Sequence, residues 1–172
     1  MRHFITILVL LAAGLMPAAT HAQSDGKRPI TFEDMMALKR IGGPQISPDG
    51  QWVLFSAVDV ELATNKKTPH LWLVPLAGGA ARQLTTGVGE DRGRWSPDGK
   101  QIAFTSARDG SGQIWAANFD SAAGSLTGEP RKITSISTEA DGEIWSPDGK
   151  SMVFVSEVYP DCPDDACNRK RD

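Results

Sequence analysis

Histidine is scarce in this chain. Of three, His3 and His21 fall in the first 22 residues, which leaves His70 alone beyond them. There is no Gly-x-Ser-x-Gly elbow, so the usual strand–turn–helix mount for a serine nucleophile is missing. No His-Glu-x-x-His pair and no phosphate-cradling glycine loop occurs either. No basic cluster stands out, which argues against nucleic acid as a partner. Cysteine is limited to Cys162 and Cys167, too few for a four-ligand zinc site. No apolar run reaches the length needed to cross ~30 Å of hydrocarbon as a helix. On these grounds no catalytic, cofactor-binding or metal-binding residue is expected within the chain.

The longest apolar run, Phe4–Met16, covers 13 residues and follows Arg2-His3. Pro17 breaks it, and Thr20-His21-Ala22 places small residues at the −3 and −1 positions of a cut. This is the layout of a secretory signal peptide; a membrane anchor is the rival reading, and the run is short for one. Residues 1–22 are therefore read as a leader, and the remainder as periplasmic or secreted with no membrane attachment. Without the leader, 17 basic residues face 21 acidic ones, a net charge of −4. In an oxidising compartment, Cys162 and Cys167 read as a disulfide, which over so short a loop stabilises by roughly 2 kcal/mol in the chain-entropy account. The adjacent Asp164-Asp165 reads as solvated surface.

What the chain has in plenty is turn residues: 17 glycines and 11 prolines in 172 positions. Three copies of one tetrapeptide organise them. Ser47-Pro48-Asp49-Gly50, Ser96-Pro97-Asp98-Gly99 and Ser146-Pro147-Asp148-Gly149 are spaced by 49 and 50 residues. Proline presets φ, aspartate bonds its local backbone and glycine accepts a positive φ, so each copy predicts a tight turn between two strands. The flanks repeat as well. Ile46, Trp95 and Trp145 precede the serines; Val53, Ile102 and Met152 stand six residues after them, and Phe55, Phe104 and Phe154 eight after. Leu71-Trp72-Leu73-Val74 corresponds to Ile114-Trp115-Ala116-Ala117, and Arg82-Gln83-Leu84-Thr85 to Arg131-Lys132-Ile133-Thr134. Between these fixed points the connecting segments trade length.

Each unit thus reads as four short strands, in the second unit roughly 91–96, 100–107, 113–118 and 131–135. Trp52-Val53-Leu54-Phe55 and Met152-Val153-Phe154-Val155 are almost continuously apolar, as in sheets covered on both faces. A four-stranded sheet repeated every ~40–50 residues with both faces covered is a propeller blade; a β-sandwich is the alternative, but it needs no thrice-repeated turn. The expected fold is all-β: a leader (1–22), a tether with a short helix (23–41), and an incomplete propeller (42–172) with blades at about 42–87, 88–135 and a partial one at 136–172. In the tether, Thr31 and Asp34 form a capping pair, Phe32, Met35, Met36 and Leu38 an apolar side, and Gly42-Gly43-Pro44 the stop. Trp52, Trp72, Trp95, Trp115 and Trp145 are core candidates. Asp49, Asp98 and Asp148 are turn residues before they are catalytic or calcium-binding ones, and His70 is expected to be an exposed or edge imidazole.

Propellers close with four to eight blades. Two units and the first half of a third leave open edges, so a fragment of a longer gene product is expected, with self-association into an oligomer as a further reading.

The stretch Trp95 to Gly110, Trp-Ser-Pro-Asp-Gly-Lys-x-Ile-Ala-Phe-x-Ser-x-Arg-Asp-Gly, resembles the bacterial PD40, or WD40-like, propeller repeat. Together with residues 31–40, 69–76 and 155–162 it is similar to the start of prolyl-oligopeptidase-family (S9) serine peptidases, in their dipeptidyl-peptidase and acylaminoacyl-peptidase branch. The resemblance implies a propeller that caps a following α/β-hydrolase domain. That domain carries serine, aspartate and histidine for acyl transfer, and the propeller restricts access to short peptides. None of the triad positions lies in this chain, so a peptide substrate is implied only through the hydrolase domain. A Tol-system-like periplasmic propeller that binds protein is the alternative.

Overall fold

A computed structural model describes residues 28–171. The expected leader lies outside the described residues. A short helix, α1 (Phe32–Ala37), leads into ten strands. Strands β1 (Arg40–Ile46), β2 (Trp52–Glu61), β3 (Lys66–Pro75) and β4 (Arg82–Gln83) form one antiparallel sheet in chain order. Strands β5 (Asp91–Trp95), β6 (Gln101–Ser106), β7 (Gln113–Asp120) and β8 (Ser125–Lys132) form a second. Strands β9 (Asp141–Trp145) and β10 (Met152–Val155) pair as the start of a third, and helix α2 (Asp165–Arg171) follows. The fold is therefore mostly β, two four-stranded blades and part of a third.

The repeated turn closes each of the three β-hairpins in the same way. Ser47 Oγ donates to Asp49 Oδ1 (2.5 Å) and accepts from the Trp52 amide (3.0 Å), while Gly50 N donates to Ser47 O (2.9 Å). The same three bonds recur around Ser96 and Ser146. Gly50, Gly99 and Gly149 have φ of 70°, 70° and 68°, a region costly for a residue with a Cβ. The register then repeats exactly where the sequence does: Ile46 pairs Val53, Trp95 pairs Ile102, and Trp145 pairs Met152.

The first strand of each sheet also bulges four and three residues before its serine. Gly43, Arg92 and Gly142 take φ of 54°, 57° and 65° at equivalent positions. The ladder shifts register there in all three sheets. Pro44, Gly93 and Glu143 follow the bulge residue. Gly93 is a close approach: a Cβ there would lie 2.7 Å from Leu54 Cδ2 and 3.1 Å from Leu71 Cδ2 of the first blade. The Gly93→Ala protein is expected to lose about 1–3 kcal/mol of stability by overpacking, read as a lower urea midpoint with unchanged slope.

The segments that trade length are hairpin extensions. In the first blade β2 and β3 pair over ten residues each, far beyond the core. In the second the extension lies between β7 and β8, where Phe119 pairs Leu126 and Asp120 pairs Ser125. The fourth strand of that blade thus begins at Ser125, six residues before the sequence estimate. The tether also differs from expectation. Gly42-Gly43-Pro44 does not stop a helix: α1 ends at Ala37, and the glycines lie inside β1, which starts at Arg40. The apolar side of α1 is exposed at Phe32 and Met35, as is Leu38 just after the helix.

Two apolar layers lie between blades. Leu54, Leu71 and Leu73 of the first blade pack with Trp95, Ile102, Phe104, Trp115, Ala117 and Phe119 of the second. Trp95 and Phe119 meet edge to face with centroids 4.8 Å apart. On the other side of the second blade, Ala103, Ile114 and Ala140 are buried with Ile133, Trp145, Met152 and Phe154 against them. Consecutive residues of β6 therefore enter opposite layers, which is why its sequence reads as an unbroken apolar run.

Candidate functional site

Three kinds of polar feature join the blades, and they separate structural from functional candidates. The first is the indole that precedes the repeated turn. Trp95 Nε1 donates to Gln45 O and Trp145 Nε1 to Arg94 O, both at 3.3 Å. The acceptors are equivalent residues, two before the preceding serine. Ile46, which has no N–H to offer, occupies this position in the first blade. Trp95 and Trp115 are buried, and Trp52 and Trp145 pack against the core layers. Trp72 instead carries Lys39 Nζ 4.2 Å from its ring centre.

The second is backbone docking at each blade-to-blade crossing. Glu90 N donates to Pro69 O (3.1 Å) and Ala140 N to Gly112 O (2.9 Å). Thr85 Oγ1 accepts from Leu71 N (3.0 Å) and Thr134 Oγ1 from Ile114 N (2.9 Å). The repeated Arg-x-x-Thr stretches owe their threonine to these buried bonds.

The third is charged. Between the first two blades Glu90 is fully buried, with 0% of its side chain exposed. Its carboxylate accepts from Gly87 N (2.6 Å) and from an Arg108 guanidinium N–H. His70 stands beside it with Nδ1 3.9 Å from Glu90 Oε2, too far for a hydrogen bond, and only 14% of the imidazole is exposed. His70 is thus largely buried between blades, where the sequence led us to expect an exposed or edge imidazole. Gln113 holds the equivalent place in the second blade. It donates to Ile136 O (2.7 Å) and accepts from Thr134 Oγ1 (2.8 Å). His70 therefore occupies a position whose repeat partner is a polar link to the next crossing segment.

The turn aspartates hold the backbone. Asp49 lies below the ordinary carboxylate range because Ser121 Oγ, then Ser47 Oγ, then Gln51 N donate to it. Asp98 and Asp148 are lowered chiefly by their own turn serines. Cys162 and Cys167 are joined by a disulfide with Cα atoms 5.3 Å apart. It closes the segment in which Asn168 Oδ1 accepts from Tyr159 N (3.0 Å), and Asp165 accepts from Ser137 N and Oγ (2.9 and 2.7 Å). Those two donors, the hydroxyl first, hold the Asp165 carboxyl below its usual range. Asp165 is therefore a docking residue, a role its neighbourhood in sequence did not suggest.

A cleft of about 850 Å³ opens where this segment meets the second and third blades. Glu139, Asp141 and Glu157 line it together with Ser156 and Tyr159. Its acidic lining suits a cationic group. Two of its serine hydroxyls are committed elsewhere: Ser156 Oγ donates to Glu139 O (2.5 Å) and Ser137 Oγ to Asp165. Neither is beside a histidine, since His70 lies at the other interface. Among the described residues, no group of three or more His, Cys, Asp or Glu is arranged to hold a metal ion, and no helix is long and apolar enough to cross a membrane.

Four-stranded antiparallel sheets, repeated in one register and packed on one another through apolar layers, define a partial β-propeller. The chain belongs to the TolB beta propeller domain family (PD40), whose pattern it matches over residues 33–159. Dipeptidyl-peptidase 5 of Porphyromonas gingivalis is 34% identical over 63% of this chain and 16% of its own length. Dipeptidyl-peptidase 5 of Porphyromonas endodontalis is 30% identical over 97% of this chain and 25% of its own length. The chain thus spans a quarter or less of these curated relatives. Among solved structures, TolB from Acinetobacter baumannii is 29% identical with a TM-score of 0.53 over 67% of this chain and 26% of that one. The acylaminoacyl peptidase of Pyrococcus horikoshii superimposes with a TM-score of 0.57 at 20% identity, over 74% of this chain and 19% of that one, a likeness of fold.

Proposed function

We propose that this chain is the opening portion of the propeller of an exported serine peptidase of the dipeptidyl- or acylaminoacyl-peptidase type. In this reading the propeller restricts access of peptides to an α/β-hydrolase domain that lies outside these 172 residues. The observation that carries it is the 30% identity to a dipeptidyl-peptidase over 97% of the chain. It extends through the tether and the cysteine-bearing segment, beyond the repeats that all propellers of this family share. The placement of Phe4–Met16 ahead of the propeller supports export.

The test is hydrolysis of dipeptidyl and acyl-peptide chromogenic substrates by the product of the complete reading frame. Turnover abolished by a serine-directed phosphonate is expected, with no turnover from the 172-residue chain alone. A reading frame that closes a ring and stops without a nucleophile elbow, giving an inactive product, overturns the peptidase reading. That outcome would favour a protein-binding propeller, the second reading, which draws on the 29% identity to a TolB structure.

A further inference from the structure

The bulge position that holds Pro44 in the first blade and Gly93 in the second holds Glu143 in the third. Its side chain reaches toward the second blade and is almost wholly buried, with 1% of the residue exposed. Ala103 stands on the facing blade where the first blade has Leu54, and the smaller side chain leaves room for the longer one. Thr105 Oγ1, on β6, lies 3.2 Å from Glu143 Oε2 and 3.0 Å from Asp141 Oδ1. Asp141 Oδ1 also takes the Gly142 amide (2.7 Å) and Arg92 Nε (3.0 Å). Three donors mark Asp141 as the charged carboxylate of the pair.

Proton counting then decides the state of Glu143. Thr105 has one hydroxyl proton and two carboxylates in reach. If that proton goes to Asp141, the contact between Thr105 Oγ1 and Glu143 Oε2 is left without one. A proton on Glu143 completes the chain: Glu143 donates to Thr105, Thr105 to Asp141, and Asp141 accepts from Arg92. Glu143 Oε1 is buried with no hydrogen-bond partner, and a buried charge with a bare oxygen is costly.

We propose that Glu143, Thr105 and Asp141 form a proton-operated latch between the second and third blades, closed when Glu143 carries a proton and loosened when it does not. Burial pushes the Glu143 carboxyl up from 4.5 to about 7; its own amide and Thr105 oppose this, Asp141 adds to it, and Arg94 opposes it. The other ionisable groups around it are accounted for. From β5, Arg92 is engaged by Asp141, and Asp91 Oδ1 accepts from the Arg92 amide (2.7 Å). Strands β6 and β10 carry no ionisable side chain, and Asp120 of β7 caps its own turn through Ala122 N and Ala123 N. Because the folded value is raised, the folded form binds more protons than the unfolded one between pH 4.5 and about 7. Stability at this interface is fully present at the acid end and is lost as pH rises through that window.

The experiment is a carbon-13 titration of the Glu143 carboxyl in the purified chain, paired with amide exchange of Ile144 and Val153 corrected for intrinsic rates. A midpoint near 7 is expected. Protection of Ile144 and Val153, the next hydrogen-bonded pair of this ladder, should fall by about tenfold from pH 6 to pH 8 relative to β6–β7 amides. The Glu143→Gln protein, whose amide can donate to Thr105 at any pH, should keep its protection across that range. A midpoint near 4.5, or a wild-type protection profile that does not change with pH, overturns the proposal. The wild-type titration decides the matter even if the variant fails to fold.

Discussion

The Arg108→Met protein is expected to unfold with about 3–5 kcal/mol less free energy than the parent, measured by urea denaturation at neutral pH. Arg108, just after β6, pairs with Glu90 at the entry to β5 of the same blade, a carboxylate with no exposed surface. Methionine keeps the apolar stem and removes the one guanidinium that Glu90 touches among the described residues, where the remaining donor is the Gly87 amide. His70 cannot substitute from its present position, since its Nδ1 is 3.9 Å away. The substitution also removes a cation 4.8 Å from the centre of the Trp115 ring. The loss comes mainly from stranding a buried charge, so Glu90→Gln in the Arg108→Met background should recover a large part of it. A loss below about 1 kcal/mol for the single substitution would show that Glu90 is solvated or neutral, contrary to the geometry.

The Phe104→Ala protein is expected to lose a similar amount, about 3–5 kcal/mol, by creating a cavity in the layer between the first two blades. Phe104 is fully buried there, among Leu54, Leu71, Leu73 and the two buried indoles. The contrast with its repeat partners is the sharper part of the expectation. Phe55 pairs Trp72 as Phe104 pairs Trp115, yet Phe55 is only partly buried because nothing in the described residues covers that side of the first blade. Truncating Phe55 or Phe154 should therefore cost clearly less, about 1–2 kcal/mol. Equal losses at all three positions, from matched urea transitions, would contradict this ordering.

The repeat itself explains why so much of the fold is legible in the sequence. A tight turn needs particular residues at particular positions, and an apolar strand between two sheets needs apolar residues on both sides of its pleat. Both are local demands, so Ser-Pro-Asp-Gly and the phenylalanine eight residues later mark the hairpins and the pairing register directly. The tryptophan before the second and third turns is legible as a core residue in the same way. Its bond to the carbonyl of the preceding blade is not, because that partner is 50 or 51 residues away.

The errors have the same origin. Gly42-Gly43-Pro44 looks like a helix stop when read locally, but β1 pairs with β2 through it and only bulges. The longer segments between fixed points look like loops, but each finds a neighbouring strand to extend. His70 looks like an edge imidazole until Glu90 and Arg108 are brought beside it from the next blade.

The sequence by itself determined the hairpins, their register, the number of blades begun and the disulfide-spaced cysteines, because each depends on residues close in the chain. Tertiary structure alone decided which of three identical phenylalanines is fully buried, which carboxylate is paired and which is left to hold a proton. Those outcomes depend on what the facing blade supplies: Leu54 opposite Gly93, Ala103 and Thr105 opposite Glu143. The bulge is the same at both sites, so its electrostatic environment is a property of two blades together and is written in neither one alone.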